Sequence, residues 1–210
     1  MLALLLFLLA GAAQPSVAVR DGNVEYRAPD GSVRRLTKGG GCEAAVLSPD
    51  GHTIAFIHVD REGGRDLFDG QSSLWIVDAA SGSPRRLLTP KGDDEPKRSL
   101  ALVHRPFFSL DGGYVYVEAE AWVTSAAIHQ VSVTTGKERY VADGWIHGIL
   151  RTGPYRGDLV VSQHRYHKAP RYGSYDPAAV IRPDGKVVLK LPGEEPDVDG
   201  WVKARGWILS

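Results

Sequence analysis

A single cysteine, Cys42, and a single methionine stand in 210 residues. One thiol cannot close an internal disulfide, so the domain takes its stability from packing even in an oxidising compartment. Cys42 lies between Gly41 and the start of an extended segment with no evident acid–base partner, and it reads as a small, partly buried residue. An excess of one charge is also missing: 25 Lys and Arg balance 25 Asp and Glu, with no basic run longer than a few residues. That excludes the electrostatic footprint of a nucleic-acid binder and a polybasic anchor for an anionic membrane. No apolar run spans a bilayer, since Leu2 to Ala13 has roughly half the length required. Its Leu, Ala, Gly and Phe composition, and the small residues Ala10 and Ala12 before Gln14-Pro15, mark the apolar part of a secretory signal, although no Lys or Arg precedes it.

The expectation is therefore a signal over 1–13, cleaved near Ala12 or Ala13, and one exported, periplasmic domain over 14–210. No cysteine ends the signal to accept a lipid, so no stable membrane anchor is expected after cleavage. Catalytic signatures are scarce as well. Gly173-Ser174-Tyr175 lacks the second glycine of a nucleophile elbow and no helix follows it. Gly39-Gly40-Gly41 joins two strands and offers no helix N-terminus to a phosphate. No cofactor, metal or catalytic set is assigned.

What the chain has in quantity is turns between short apolar strands. Over Cys42–Thr89, Ser48-Pro49-Asp50-Gly51 and Ala79-Ala80-Ser81-Gly82 separate β-type runs such as Thr53–Val59 and Ser73–Asp78, which makes one four-stranded antiparallel unit. Imperfect copies recur at a period of roughly 45 residues. One runs from Leu102 to Val141 around Ser109-Leu110-Asp111-Gly112. Another runs from Trp145 to Leu191, with Thr152-Gly153-Pro154-Tyr155 at its first turn and Pro183-Asp184-Gly185 at its last. The segment Ser16–Thr37 matches the second half of the unit. Gly200–Ser210 reads as the opening strand of one more copy, so the two ends can complete one blade together and remove the open edges of an array. No segment of a dozen residues has helical periodicity, and the mature chain is expected to be nearly all β.

Ser48-Pro49-Asp50-Gly51-His52-Thr53-Ile54-Ala55-Phe56 and Leu74-Trp75-Ile76-Val77-Asp78 resemble the repeat of TolB-type β-propellers, which also caps many prolyl-oligopeptidase-like enzymes. The resemblance covers most of the mature chain and is sharpest in this copy. It departs at Leu110, which replaces the turn proline, and at Thr152–Tyr155. It implies an all-β propeller of about four four-stranded antiparallel blades and an exported binding or scaffolding role, with no catalytic motif carried over.

In a meandering blade the first and last turns share one face, and here both are short. The middle connection and the link to the next blade share the other face, which carries the polar insertions and is the expected binding surface. It gathers Asp66, Trp122 and the run His164, Arg165, Tyr166, His167, Arg171, Tyr172 and Tyr175, whose rings and charges suit a protein, peptide or envelope glycan. A plainer reading has these aromatics packing the loop while the charges are solvated. Two further alternatives stand beside the binding role. His104, His147 and His164 near the channel could serve a small metal-assisted enzyme acting on acidic glycans, by analogy with TolB-like lyases. A terminal strand pairing with a second molecule would give a homodimer by strand exchange.

Overall fold

A computed structural model describes residues 13–63 and 70–210; most of the expected signal, and Asp66, lie outside them. The described chain is built from four antiparallel sheets stacked in sequence order, and each sheet except the first has four strands. The first sheet is β1 (Ser16–Arg20), β2 (Asn23–Arg27) and β3 (Val33–Arg35). The second is β4 (Cys42–Leu47), β5 (Thr53–Arg61), β6 (Gln71–Asp78) and β7 (Pro84–Leu88). A link containing a 3-10 turn, Pro96–Arg98, leads to the third. That sheet is β8 (Val103–Phe108), β9 (Tyr114–Trp122), β10 (Ser125–Ser132) and β11 (Glu138–Asp143).

The fourth sheet pairs β12 (Trp145–Ile149), β13 (Leu159–Ser162), β16 (Ala178–Ile181) and β17 (Val187–Lys190). The separate hairpin β14 (Arg165–Tyr166) and β15 (Ser174–Tyr175) is inserted between β13 and β16. The expected repeat units are thus present. The first unit has three strands where three short strands are expected. One boundary differs from expectation: β9 and β10 run on to a two-residue turn at Val123-Thr124 in place of a longer loop.

The period-2 alternation of strands sends successive side chains to opposite faces, and here both faces are buried between neighbouring sheets. Along β5, Ile54 and Phe56 meet Val24 and Tyr26 of the first sheet, whereas Ala55 and Ile57 meet Val103, Val115 and Val117 of the third. Leu159 and Val161 of β13 likewise pack with Tyr116 and Ile128, while Val160 turns the other way. This explains why the central strands are apolar at almost every position. Truncating such a fully buried Ile to Ala would cost about 2–5 kcal/mol.

The two outer faces of the stack are finished differently. On the first sheet Glu25 pairs with Arg20 and Arg35, giving a charged surface. On the fourth, Val160, Ala178 and Val180 are covered by α1 (Val198–Lys203) and the segment after it. Asp197 caps α1 by accepting from the Gly200 N–H at 3.0 Å, a helix start with a clear cause. Trp201 and Trp207 pack edge to face, and Gly153, at φ +86°, leaves the space in which the Trp207 indole sits.

The strand expected over 200–210 is therefore a correction: a short helix replaces it, followed by a bridge between Leu209 and Leu150. Within the bridge the Ser210 N–H donates to the Ile149 carbonyl and the Arg151 N–H to the Ile208 carbonyl. Asp197 and the apolar triplet Val198, Val202 and Trp201 outweigh the two glycines, because the helix has an apolar sheet to cover. The terminal segment pairs with the fourth sheet, not with β1–β3.

Candidate functional site

The elaborated side of the stack holds a groove of about 590 Å³ between the third and fourth sheets. One wall is the β9–β10 turn, with Trp122 and the 88% exposed Val123. The opposite wall is the inserted hairpin, with His164 and Tyr166, and Tyr140 and Asp143 of β11 line the space between. Lys97 reaches the rim from the β7–β8 link, held by Glu95 at 2.6 Å. Tyr166 is 66% exposed, so its ring offers a face to a ligand. His164 fixes it edge to face at 4.9 Å and is itself fixed by Asp176 at 2.7 Å. Burial, followed by the nearby Asp143 carboxylate, pushes the Tyr140 phenol above its ordinary value, so it stays a neutral donor.

Strand alternation divides the sequence-predicted site into two groups. Tyr166 faces the groove, while Arg165 and its cross-strand partner Tyr175 point to the other side of the hairpin. Arg165 reaches back to Asp143 at 2.5 Å, and Gln163 donates to the same residue, tying the hairpin to β11. His167 stacks on Tyr175 at 4.5 Å, and Arg171 makes a two-pronged pair with Glu194 at 2.7 and 2.8 Å. Tyr172, at the tip, is 86% exposed. Trp122, His164 and Tyr166 are thus brought together, whereas His167, Arg171 and Tyr175 anchor the hairpin to the 192–195 loop. Sequence reading missed Tyr140 and Asp143, because nothing local marks a β11 residue as facing an insertion some 20 positions later.

His104, His147 and His164 do not converge. His104 faces Glu120 at 3.3 Å, His147 meets the Ser162 hydroxyl at 2.6 Å, and His164 holds Asp176. Among the described residues no three His, Cys, Asp or Glu side chains are grouped to hold a metal. A different ionisable centre joins the third and fourth sheets. The fully buried Glu118 accepts from the Ile146 N–H at 2.6 Å and from Arg105 at 3.2 Å, while Arg105 also donates to the Ile146 carbonyl. Burial pushes the Glu118 carboxyl up to about 7, against the opposing pull of its donors.

A second, larger concavity of about 740 Å³ lies on the short-turn side, where the ends of β4 and β8 meet the residues after β12. Sequence reading placed any binding surface on the opposite side. The clue was present in the fourth unit, whose departure from Pro-Asp-Gly at Thr152–Tyr155 is flanked by Arg151 and Arg156, both lining this cavity.

Stacked four-stranded antiparallel sheets of this kind define a β-propeller architecture, and solved structures agree. TolB from Acinetobacter baumannii matches with a TM-score of 0.54 and 19% identity, covering 86% of this chain and 41% of its own. Porphyromonas gingivalis dipeptidyl peptidase 4 matches at 0.60 and 11%, covering 84% and 31%. The propeller domain of the Trilobed protease from Pyrococcus furiosus matches at 0.53 and 14%, covering 82% and 49%. The fold is that of a TolB-like propeller. The chain spans between about a third and a half of the length of these structures. No protein-family model and no curated protein matches it.

Proposed function

We propose that the chain is an exported, non-catalytic binding propeller, its four sheets acting as blades, that takes a protein, peptide or envelope glycan in the groove between the third and fourth sheets. The observation that carries this reading is the groove itself. Trp122, Tyr140 and Tyr166 present partly exposed rings around it, while Asp143, His164 and Lys97 supply donors and acceptors at the rim. Extended peptides and glycan chains both offer apolar faces flanked by hydrogen-bonding groups, which such amphipathic rings complement. The hairpin wall is held by Asp143, Asp176 and Glu194 before any ligand arrives, so little ordering is left to oppose binding. Export rests on the apolar run 2–13, and no described helix is long and apolar enough to cross a membrane.

The test is capture of ligands from an envelope extract and from a glycan array by residues 14–210. Trp122→Ala with Tyr166→Ala should lose a specific ligand by at least tenfold with an unchanged melting temperature. Tyr172→Ala, at the exposed hairpin tip and outside the groove lining, should retain it. Equal loss in both variants, or in neither, would remove the groove as the site.

A further inference from the structure

We infer that the cavity on the short-turn side is a second binding site, for a small organic anion: a carboxylate carried on an apolar body. The walls are apolar, formed by Leu47 at the end of β4, Phe107 and Phe108 at the end of β8, and Leu110 in the following turn. Phe108 is nearly fully buried, so the cavity floor belongs to the core between the sheets. At about 740 Å³ the space is in the range that holds a small molecule and not only water.

The charged side chains are of one sign, with the hydroxyls of Thr152 and Ser210 beside them. Arg151 and Arg156 line the cavity from the loop that replaces the usual Pro-Asp-Gly turn, and both are exposed. Some arginines elsewhere hold carboxylates, as Arg86 holds Asp60, Arg165 holds Asp143 and Arg171 holds Glu194, and others donate to carbonyls, as Arg85 does to Val133 and Arg139 to Pro183. Arg151 and Arg156 have no carboxylate partner among the described residues, and no acidic side chain lines the cavity. Guanidinium groups favour paired, charge-assisted bonds to carboxylates, and such bonds strengthen beside apolar walls that exclude water. The chemistry missing from the cavity is therefore an anion at the mouth and an apolar group against the phenylalanines.

The loop is also placed in advance. The Arg151 N–H donates to the Ile208 carbonyl at 2.7 Å, the Ile208 N–H to the Thr152 hydroxyl at 3.0 Å, and Tyr155 packs against Trp207. This site is on the opposite side of the stack from the aromatic groove, so the two are separable by experiment.

The experiment is calorimetric titration of residues 14–210 with 4-phenylbutanoate, its alcohol 4-phenylbutan-1-ol, and acetate. The carboxylate should bind, and the alcohol and acetate should bind at least tenfold more weakly, because one lacks the charge and the other the apolar body. Arg151→Gln with Arg156→Gln should weaken phenylbutanoate at least tenfold, while Arg182→Gln, whose residue pairs with Asp184 in the β16–β17 turn, should not. Melting temperatures recorded on each variant exclude unfolding as the cause. Equal binding of acid and alcohol, an unaffected Arg151/Arg156 variant, or no heat at millimolar phenylbutanoate would each overturn the proposal.

Discussion

At the scale of single residues, the turns show which side chains enforce the fold. Ser48 donates its hydroxyl to Asp50 at 2.5 Å and accepts the Thr53 N–H, while Asp50 accepts the His52 N–H. Ser109 and Asp111 make the same set with Tyr114 and Gly113, although Leu110 stands where Pro49 does. The proline is thus dispensable and the Ser-x-Asp pair is the turn former, helped by Gly51 and Gly112 at φ +77° and +71°. Ser48→Ala should cost about 1 kcal/mol in urea denaturation, since it leaves a half-buried Thr53 N–H without its partner. Glu118 predicts a pH effect of definite sign. Its folded value lies near 7 and its unfolded value near 4.5, so between them the folded state binds more protons and this residue lowers stability as pH rises. Buried His129 and the more exposed His147, whose folded values are depressed by desolvation, act in the opposite direction below 6.5. Comparison of wild type with Glu118→Gln isolates the carboxyl. The stability of wild type relative to the variant should fall from pH 4.5 to 7, and a flat difference would show that Glu118 does not titrate there.

At the scale of elements, the strands were legible because alternation and turn chemistry agree at each of them, as at Thr53–Val59 between Gly51 and the next insertion. The polar excursion after Ser162 could be read as an insertion, but not as a hairpin. β14 and β15 pair over only two residues each and owe their placement to Asp143 and Glu194, which are distant in sequence. The reading of Gly200–Ser210 as a strand failed for a related reason. Its two glycines and its tryptophans suit either state, and the apolar face of Val160, Ala178 and Val180 decides for the helix. The same logic separates the candidate site. Trp122 and the His164–Tyr166 pair stood out in sequence as exposed aromatics in polar surroundings, whereas Tyr140 and the Arg151/Arg156 cavity depend on which strands become neighbours. Trp201→Ala with Trp207→Ala should uncover the fourth sheet and lower stability by about 3–5 kcal/mol, measured by denaturant unfolding.

At the scale of the whole molecule, four sheets bury three apolar seams and a fourth beneath α1. Among the described residues the main contacts run between neighbouring sheets, so changes in one seam propagate through the strands they share. The central strands are buried on both sides, and the connections are left to vary. One side of the stack carries the hairpin and its aromatic groove. The other carries short turns and, where one of them departs from pattern, a cavity edged by two arginines. The insertion on the first side can thus vary without disturbing the seams.

The covering of the fourth sheet by α1 has a consequence for the behaviour of many copies together. A bare apolar sheet face is an invitation to head-to-tail stacking, which does not close and grows as a filament. Growth requires two receptive ends. The Arg20–Glu25–Arg35 surface at one end resists apolar stacking by the cost of stripping its charges, and the tryptophan-bearing helix occupies the other. The helix thus acts as a chain terminator for assembly as well as a stabilising element. Light scattering from the Trp201/Trp207 variant should accordingly rise with protein concentration under conditions in which the parent protein stays dispersed.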